Sequence, residues 1–574
     1  MRLLPLLLPS LLAAQAPTDS VVPSVATLLS QPQSAFAPVI QRWSADRAAL
    51  GRRYSVEYSP ERLDRFARFT SAWSREVAAA NPRTLDRAAQ VDRLMLAAKL
   101  AHEEAMLARE RRLAGEMRAV LPFADTLFVL LEERRRLERP DPVIAARRVA
   151  WMADTLERAM RTLAPGAASR IVAYRAADAT GDLRRQFDAW RRFYVGYDPM
   201  LTWRLAEPAK RLDTALEQWR TALREKVVGW KAGQDEPIVG DPIGAEGLAA
   251  DLALEMIPYT PAELIAIAER EFAWLESEAR RAARDMGLGD DWKAALERTK
   301  RDYPPVGEQT AAVRDMAHEA VEWVESRGLV TVPPLAKEIW RMEMMSAEAQ
   351  KTNPFFLGGE VIQVASPTDG QSEAEKQMAL RANNRHFSRA TVQHELIPGH
   401  HLQGFAAARS NTHRSPFYTP FYVEGWALWW EIHLWNLGFP RTPEERMGML
   451  FWRMHRAARI IFSLKFHLGE WTPEQCIDFL VDRVGHERAS ATGEVRRSFN
   501  GNYSPLYQAA YLLGGMQLRA LHRELVTQGS MSERSFHDAV LATGPLPIAM
   551  VRALLAPTTP LPETGWPRWR FADE

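Results

Sequence analysis

The 574-residue sequence predicts a mainly α-helical protein, and three observations carry that expectation. Apolar residues recur at three- and four-residue intervals through most of the chain, the period of one helix face. Strand-like runs are scarce. An apolar content of 47% supplies a large core, while 25% charged residues suit a surface that faces water. Lys plus Arg (73) nearly cancels Asp plus Glu (72), which leaves no electrostatic case for nucleic acid or an anionic membrane as partner.

The chain opens MRLLPLLLPSLLAAQAPTDS. Arg2, the apolar run over 3–14 and Ala14-Gln15-Ala16 have the pattern of a secretory signal over residues 1–16. The run is short and broken by Pro5 and Pro9, so it does not suit a bilayer span. An exported protein is expected, periplasmic or extracellular, with no membrane span after signal removal and an anchor if the segment is retained. Residues 17–235 read as an N-terminal helical region, with amphipathic windows at 59–80, 85–113 and 208–230. The charge run EERRRLERPD (132–141) is expected to be a solvated face. WKAGQDEPIVGDPIGAEG (230–247) has the Gly, Pro and Asp of a loop and marks a boundary. A second helical region then occupies 248–574, expected to form one unit with the first, and begins with a helix over 260–287 whose Thr260-Pro261 start suggests a cap and a first-turn proline. Short apolar runs at 329–332 and 360–365 predict a small sheet with an edge open to an extended peptide. The single Cys476 lies in a helical pattern and is expected to be a packing residue.

Residues 391–404 read TVQHELIPGHHLQG. A His-Glu pair followed by further histidine suits a hydrolase in which imidazoles hold zinc and a carboxylate takes a proton from activated water. The spacing differs from H-E-x-x-H, because the position four after His394 is Pro398. On an ideal helix His400 would point about 240° around from His394, and His401 would regain the face ~10 Å further along the axis. A bulge at Pro398-Gly399 is expected to absorb the two extra residues and return His400 to the ligand position, with His401 as the fallback. The plain alternative is a helix end with surface histidines. Downstream, FYVEGWALWWEIHLW (421–435) carries Glu424 and Glu431 in aromatic company, where a carboxylate is costly to bury unless paired or bound to metal. Glu424 completes a His394, His400, Glu424 set for Zn2+ with an open fourth position. Its bland reading is a helix cap after Pro420, with Glu431 and His433 on a wet face. Nine of the thirteen histidines fall between His386 and His486, which concentrates candidate chemistry there.

HELIPGHH, EGWALWWE, RMHRAARIIFSLKFH (453–467) and EVRRSFNGNYSPLYQAAYLLGG (494–515) together resemble the bacterial DUF885 proteins. That resemblance covers residues ~330–520 well and implies a gluzincin-like zinc metallopeptidase. A large bilobed helical fold is then expected, with a deep central cleft and a small sheet near the metal. Where the family commonly shows a tyrosine- and proline-rich approach to the motif, this chain has NPFFLGGEVIQVASPTDG (353–370). By likeness to the tyrosine of helical zincins, Tyr511 is expected as oxyanion donor. Tyr503 and Tyr507 share its four-residue spacing, and an aromatic packing stripe is the alternative. Arg497 and Arg519 flank that segment as candidates for holding a peptide carboxylate. His467 reads more readily as a core histidine than as a second donor. The expected function is hydrolysis of short peptides by zinc-activated water with Glu395 as general base. Two other readings are a zinc hydrolase of a non-peptide amide or ester, and an inactive helical binding protein.

Overall fold

Long helices of this chain begin where a side-chain oxygen can accept the first free backbone N–H groups. Ser59 caps Pro60–Ala79, Asp86 caps Arg87–Met117, and Thr260 forms a reciprocal capping box with Glu263 on Pro261–Asp285. In this computed structural model, which describes residues 21–350, 353, 355–500, 503–558 and 560–572, those helices stand where the sequence places them. The signal segment expected over 1–16 lies outside the described residues. The window at 208–230 forms the end of a longer element, Pro199–Ala222, prolonged by a π-helical turn to Val228. The loop expected over 230–247 carries no helix until Gly244. No described helix is long and apolar enough to cross a membrane.

The fold is mainly helical, with one two-stranded sheet among the described residues. Its strands, Arg341–Met344 and Val361–Val364, run parallel, with Arg341 opposite Val361 and Met344 opposite Val364. The second is the strand expected over 360–365. The strand expected over 329–332 does not form. There Thr331 N–H donates to Asp538 at 2.9 Å and the Leu329 carbonyl accepts from His537 at 2.8 Å, so side chains take the groups a ladder would need. On the far side of Val361–Val364, Leu357 and Gln363 exchange two hydrogen bonds of 3.0 and 2.7 Å, while Arg341–Met344 forms the other edge of the sheet.

Two large apolar cores divide the chain differently from the expected 17–235 and 248–574 regions. One joins residues 36–100 to residues from Ile243 onward, and the other gathers 117–223. Residues 36–100 therefore pack with the motif-bearing part. The 31-residue helix Arg87–Met117, about 46 Å long, is what lets one segment serve both. Its Ala89 to Leu100 stretch is buried in the first core and Met117 in the second.

Candidate metal centre

Asn384 caps the helix Arg385–Glu395, whose last turn delivers His394 and Glu395 into the interior. The helix stops there. Leu396 leaves helical backbone, the Ile397–Pro398 peptide is cis, and a new helix, His400–Ala407, starts directly after Gly399. The expected bulge within one helix is thus a corner between two helices, and the corner absorbs the two extra residues. The chain folds back tightly, with Gly399 N–H donating to Gln393 and His401 N–H to Leu396, both at 3.0 Å. A Cβ at position 399 would lie 1.8 Å from the His394 carbonyl oxygen, so the corner requires glycine. It sets the His400 ring 4.7 Å from the His394 ring, nearly perpendicular to it. His401 turns away and donates to the Ala336 carbonyl at 2.7 Å, which removes the fallback ligand.

Glu424 comes from Pro420–Asn436, capped by Thr419. Its Oε2 lies 3.1 Å from His400 Nε2 and 3.5 Å from His394 Nε2. One donor atom from each of the three residues falls within 4.8 Å of the others. Donors around a tetrahedral zinc with ~2.0–2.1 Å bonds sit about 3.3 Å apart, so these residues fit that ion. Seven residues along the same helix, Glu431 is buried rather than on a wet face, and its Oε1 accepts from His394 Nδ1 at 2.7 Å. That bond leaves Nε2 facing Glu424, the arrangement that orients a metal-binding imidazole. Burial alone would lower the His394 imidazole, but Glu424 and Glu431 outweigh it and hold the group at about 9. Burial penalises the Glu424 carboxylate too, yet His400 and His394 keep it well below its usual range.

The Glu424 helix meets Tyr507–His522 at a close crossing. A Cβ on Gly514 would lie 2.2 Å from the Phe421 carbonyl oxygen, and one on Gly425 would lie 2.7 Å from Gly514 Cα. The approach lets Tyr507 donate from its hydroxyl to the second oxygen of Glu424. Tyr511, one turn on, lies with its ring parallel to that of His394 at 6.0 Å. Burial and the Glu424 charge hold its phenol well above the usual range, so it stays a donor. Tyr503 precedes this helix, and its hydroxyl accepts from Arg497 at 2.7 Å. Glu395 is buried beside the cluster, and burial raises its carboxyl against the pull of His394 and His400.

His394, Glu395, His400, Glu424 and the three tyrosines line a cavity of about 660 Å³ together with Phe355, Phe356 and Gly358 of the segment before the motif. Its lining lies between Phe355 and Pro545, with no contribution from 117–223. The site is therefore built without the 117–223 helices, which close a core of their own. Arg497 lines the cavity. Arg519 does not; it sits half-buried on the Tyr507–His522 helix in the field of Glu271 and Arg453. His467 is a core histidine that burial and Arg109 push down to about 4. Cys476 is buried and its thiol is pushed up to about 12 by burial. Sequence reasoning missed Glu431 and Tyr507 as supports and Arg456 as a lining residue. Their signal was charge or hydroxyl at helical spacing within otherwise apolar segments.

The DUF885 profile, described as a bacterial protein of unknown function, matches residues 46–555. Two solved structures share the fold. A protein from Shewanella oneidensis, provisionally described as a lipoprotein of unknown function, is 16% identical with a TM-score of 0.66, over 91% of this chain and all of that one. A protein from Colwellia psychrerythraea, provisionally described as a lipoprotein, is 16% identical with a TM-score of 0.54, over 87% and 91%. A comparison with curated proteins finds no match.

Proposed function

The chain belongs to DUF885, a bacterial family of unknown function, so its chemistry must be argued from its own side chains, and we propose that it is a zinc-dependent metallopeptidase acting on short peptides. One observation carries the reading. Two histidines and a glutamate from three helices converge with donor atoms within 4.8 Å, beside the separate carboxylate of Glu395, in a cavity large enough for a few residues of peptide. His394, His400 and Glu424 would hold the ion, which when bound polarises a carbonyl and acidifies water. Glu395, its carboxyl raised by burial, takes the proton of the attacking water and hands it to the departing amine. Tyr511 donates its phenolic hydrogen to the carbonyl oxygen as negative charge develops there. Glu431 fixes the His394 ring and Tyr507 fixes the Glu424 carboxylate. Under the same proposal the protein works outside the cytoplasm. Residues 1–16 have the pattern of a signal segment, and both structural relatives are described as lipoproteins.

The test is a mixed peptide pool incubated with the purified protein and read by mass spectrometry, alongside its metal content. About one zinc per chain is expected, with cleavage that a chelator abolishes and added zinc restores. Cleavage that survives exhaustive chelation would overturn the reading. So would turnover of non-peptide amides or esters with every peptide left intact.

A further inference from the structure

The helix Pro443–His467 carries Arg456 and Arg459 one turn apart, and both are buried, at 6% and 1% exposure. Arg497, 8% exposed, reaches the same cavity from Arg488–Phe499. Three guanidiniums thus line one wall of the cavity that holds His394, His400 and Glu424. Glu395 and Glu424 line the same cavity, and two further acids lie beside the guanidiniums. Glu494 holds Arg459 through two bonds of 2.7 and 2.9 Å and lies 3.9 Å from Arg497. Glu431 lies 3.7 Å from Arg456 but is already the 2.7 Å partner of His394. Arg456 Nε, Arg459 Nη1 and Arg497 Nε are buried and have no hydrogen-bond partner among the described residues. Buried cations are costly unless anions meet them, and a ligand carboxylate entering the cavity would add to the acids already beside these three.

Resting on the peptidase reading, we infer that this wall binds the free C-terminal carboxylate of a peptide, which makes the protein a carboxypeptidase-type enzyme releasing short C-terminal fragments. Planar guanidinium donors match a carboxylate better than any other peptide group. Their place sets the length of the fragment. Arg456 and Arg459 each lie 4.5 Å from the Tyr511 ring, which in turn lies 6.0 Å from the His394 ring. One to three residues of extended chain, at ~3.5 Å each, bridge such a gap. Hydrolysis then consumes one water and breaks one C–N bond. It leaves a new carboxylate on the longer piece and a free amine on the fragment whose carboxylate the arginines hold.

An acidic side chain offers the same chemistry, so the test separates the two sources. Three probes are compared: acetyl-trialanine as free acid, the same peptide as C-terminal amide, and that amide with its first alanine replaced by glutamate. Binding to the full chain is measured calorimetrically with and without zinc, and cleavage by mass spectrometry. The free acid is expected to bind about 10-fold or more tighter than either amide, and Arg497→Gln should erase that preference while Arg497→Lys keeps part of it. Equal binding of acid and amide overturns the inference whether or not peptides are cut. A glutamate amide that binds as tightly as the acid overturns the C-terminal assignment. Acid-selective binding with no cleavage of any probe leaves the carboxylate site standing and removes the peptidase reading on which the fragment release depends. The acid-against-amide comparison on the unaltered protein decides the matter even if the arginine variants fail to fold.

Discussion

Zinc binding to this site should release a proton, and the pH dependence of that release tests the cluster directly. With only protein groups around it His394 is held at about 9, against an ordinary 6.5. At pH 7 an incoming ion must displace a proton from a group about two units above the solution pH. Each unit is worth about 1.4 kcal/mol, so the displacement costs about 3 kcal/mol and weakens zinc roughly 100-fold relative to its limit at high pH. Affinity should rise about tenfold per pH unit from 7 to 9 and then level off. Glu424 contributes no proton, since His400 and His394 keep it well below its usual range. Titration calorimetry in buffers of differing ionisation enthalpy should report about one proton released per zinc at pH 7.5 and none near pH 10. Glu431→Gln withdraws one of the three carboxylates that raise His394, so the slope should flatten and zinc should weaken 10- to 100-fold even at high pH. The linkage has a stability counterpart. His394 is raised on folding, so its stabilisation is complete below pH 6.5 and is lost as pH rises through about 9. The metal-free protein should therefore melt lower at pH 9.5 than at 6.5. A buffer-independent binding enthalpy at pH 7.5 would refute the reasoning, as would unchanged proton release in Glu431→Gln.

Three further outcomes follow from the same geometry. Glu395→Gln should keep zinc and lose turnover by about 10² or more, and Tyr511→Phe should also keep zinc while lowering kcat with little change in KM; metal analysis with steady-state kinetics checks both, and loss of zinc in Glu395→Gln would break the assigned roles. Gly514→Ala puts a methyl 2.2 Å from the Phe421 carbonyl oxygen, so thermal unfolding should show a loss of about 1–3 kcal/mol with weaker zinc as the Tyr507–Glu424 bond is spread. Glu255, buried against the capping Thr419, has its carboxyl pushed up to about 7 by burial from 4.5; the folded state then holds the extra proton, so stability should fall by about 3 kcal/mol between pH 4.5 and 7 and stay flat above, and denaturant unfolding of Glu255→Gln should lack that slope.

Helix positions were legible because their signals are local. Ser59, Asp86 and Thr260 begin helices with the residue types that satisfy free N–H groups, and the apolar period does the rest. The proposed zinc ligands were legible because their donor types are rare in apolar sequence. The corner at Leu396–Gly399 was not, since Pro-Gly suits a bulge and a break equally. What decides between them is a steric fact of the folded chain, the His394 carbonyl lying where a side chain at 399 would be. The absent strand at 329–332 has a similar origin. Its apolar pattern is strand-like, but Asp538 and His537, some two hundred residues on, take its backbone groups.

The arginines of Pro443–His467 show what spacing alone leaves undecided. Arg453, Arg456 and Arg459 recur every three residues, and on an exposed helix that spacing would be a wet stripe. Here all three are buried, and each faces an acid from elsewhere in the chain: Glu271, Glu431 and Glu494. Sequence spacing within one helix cannot reveal partners on other helices, so the stripe reads as surface until the fold is known. The pairing is also unequal. Glu494 is bonded to Arg459, with Arg497 and His455 each 3.9 Å away, whereas Glu431 is divided between Arg456 and His394. An anion bound at Arg456 would relieve Glu431 of one cation and leave more of its charge for His394, while a metal ion drawing on His394 leaves Arg456 more in need of an anion. Through that one shared carboxylate, the proposed zinc ligands and the proposed carboxylate wall are electrostatically a single site.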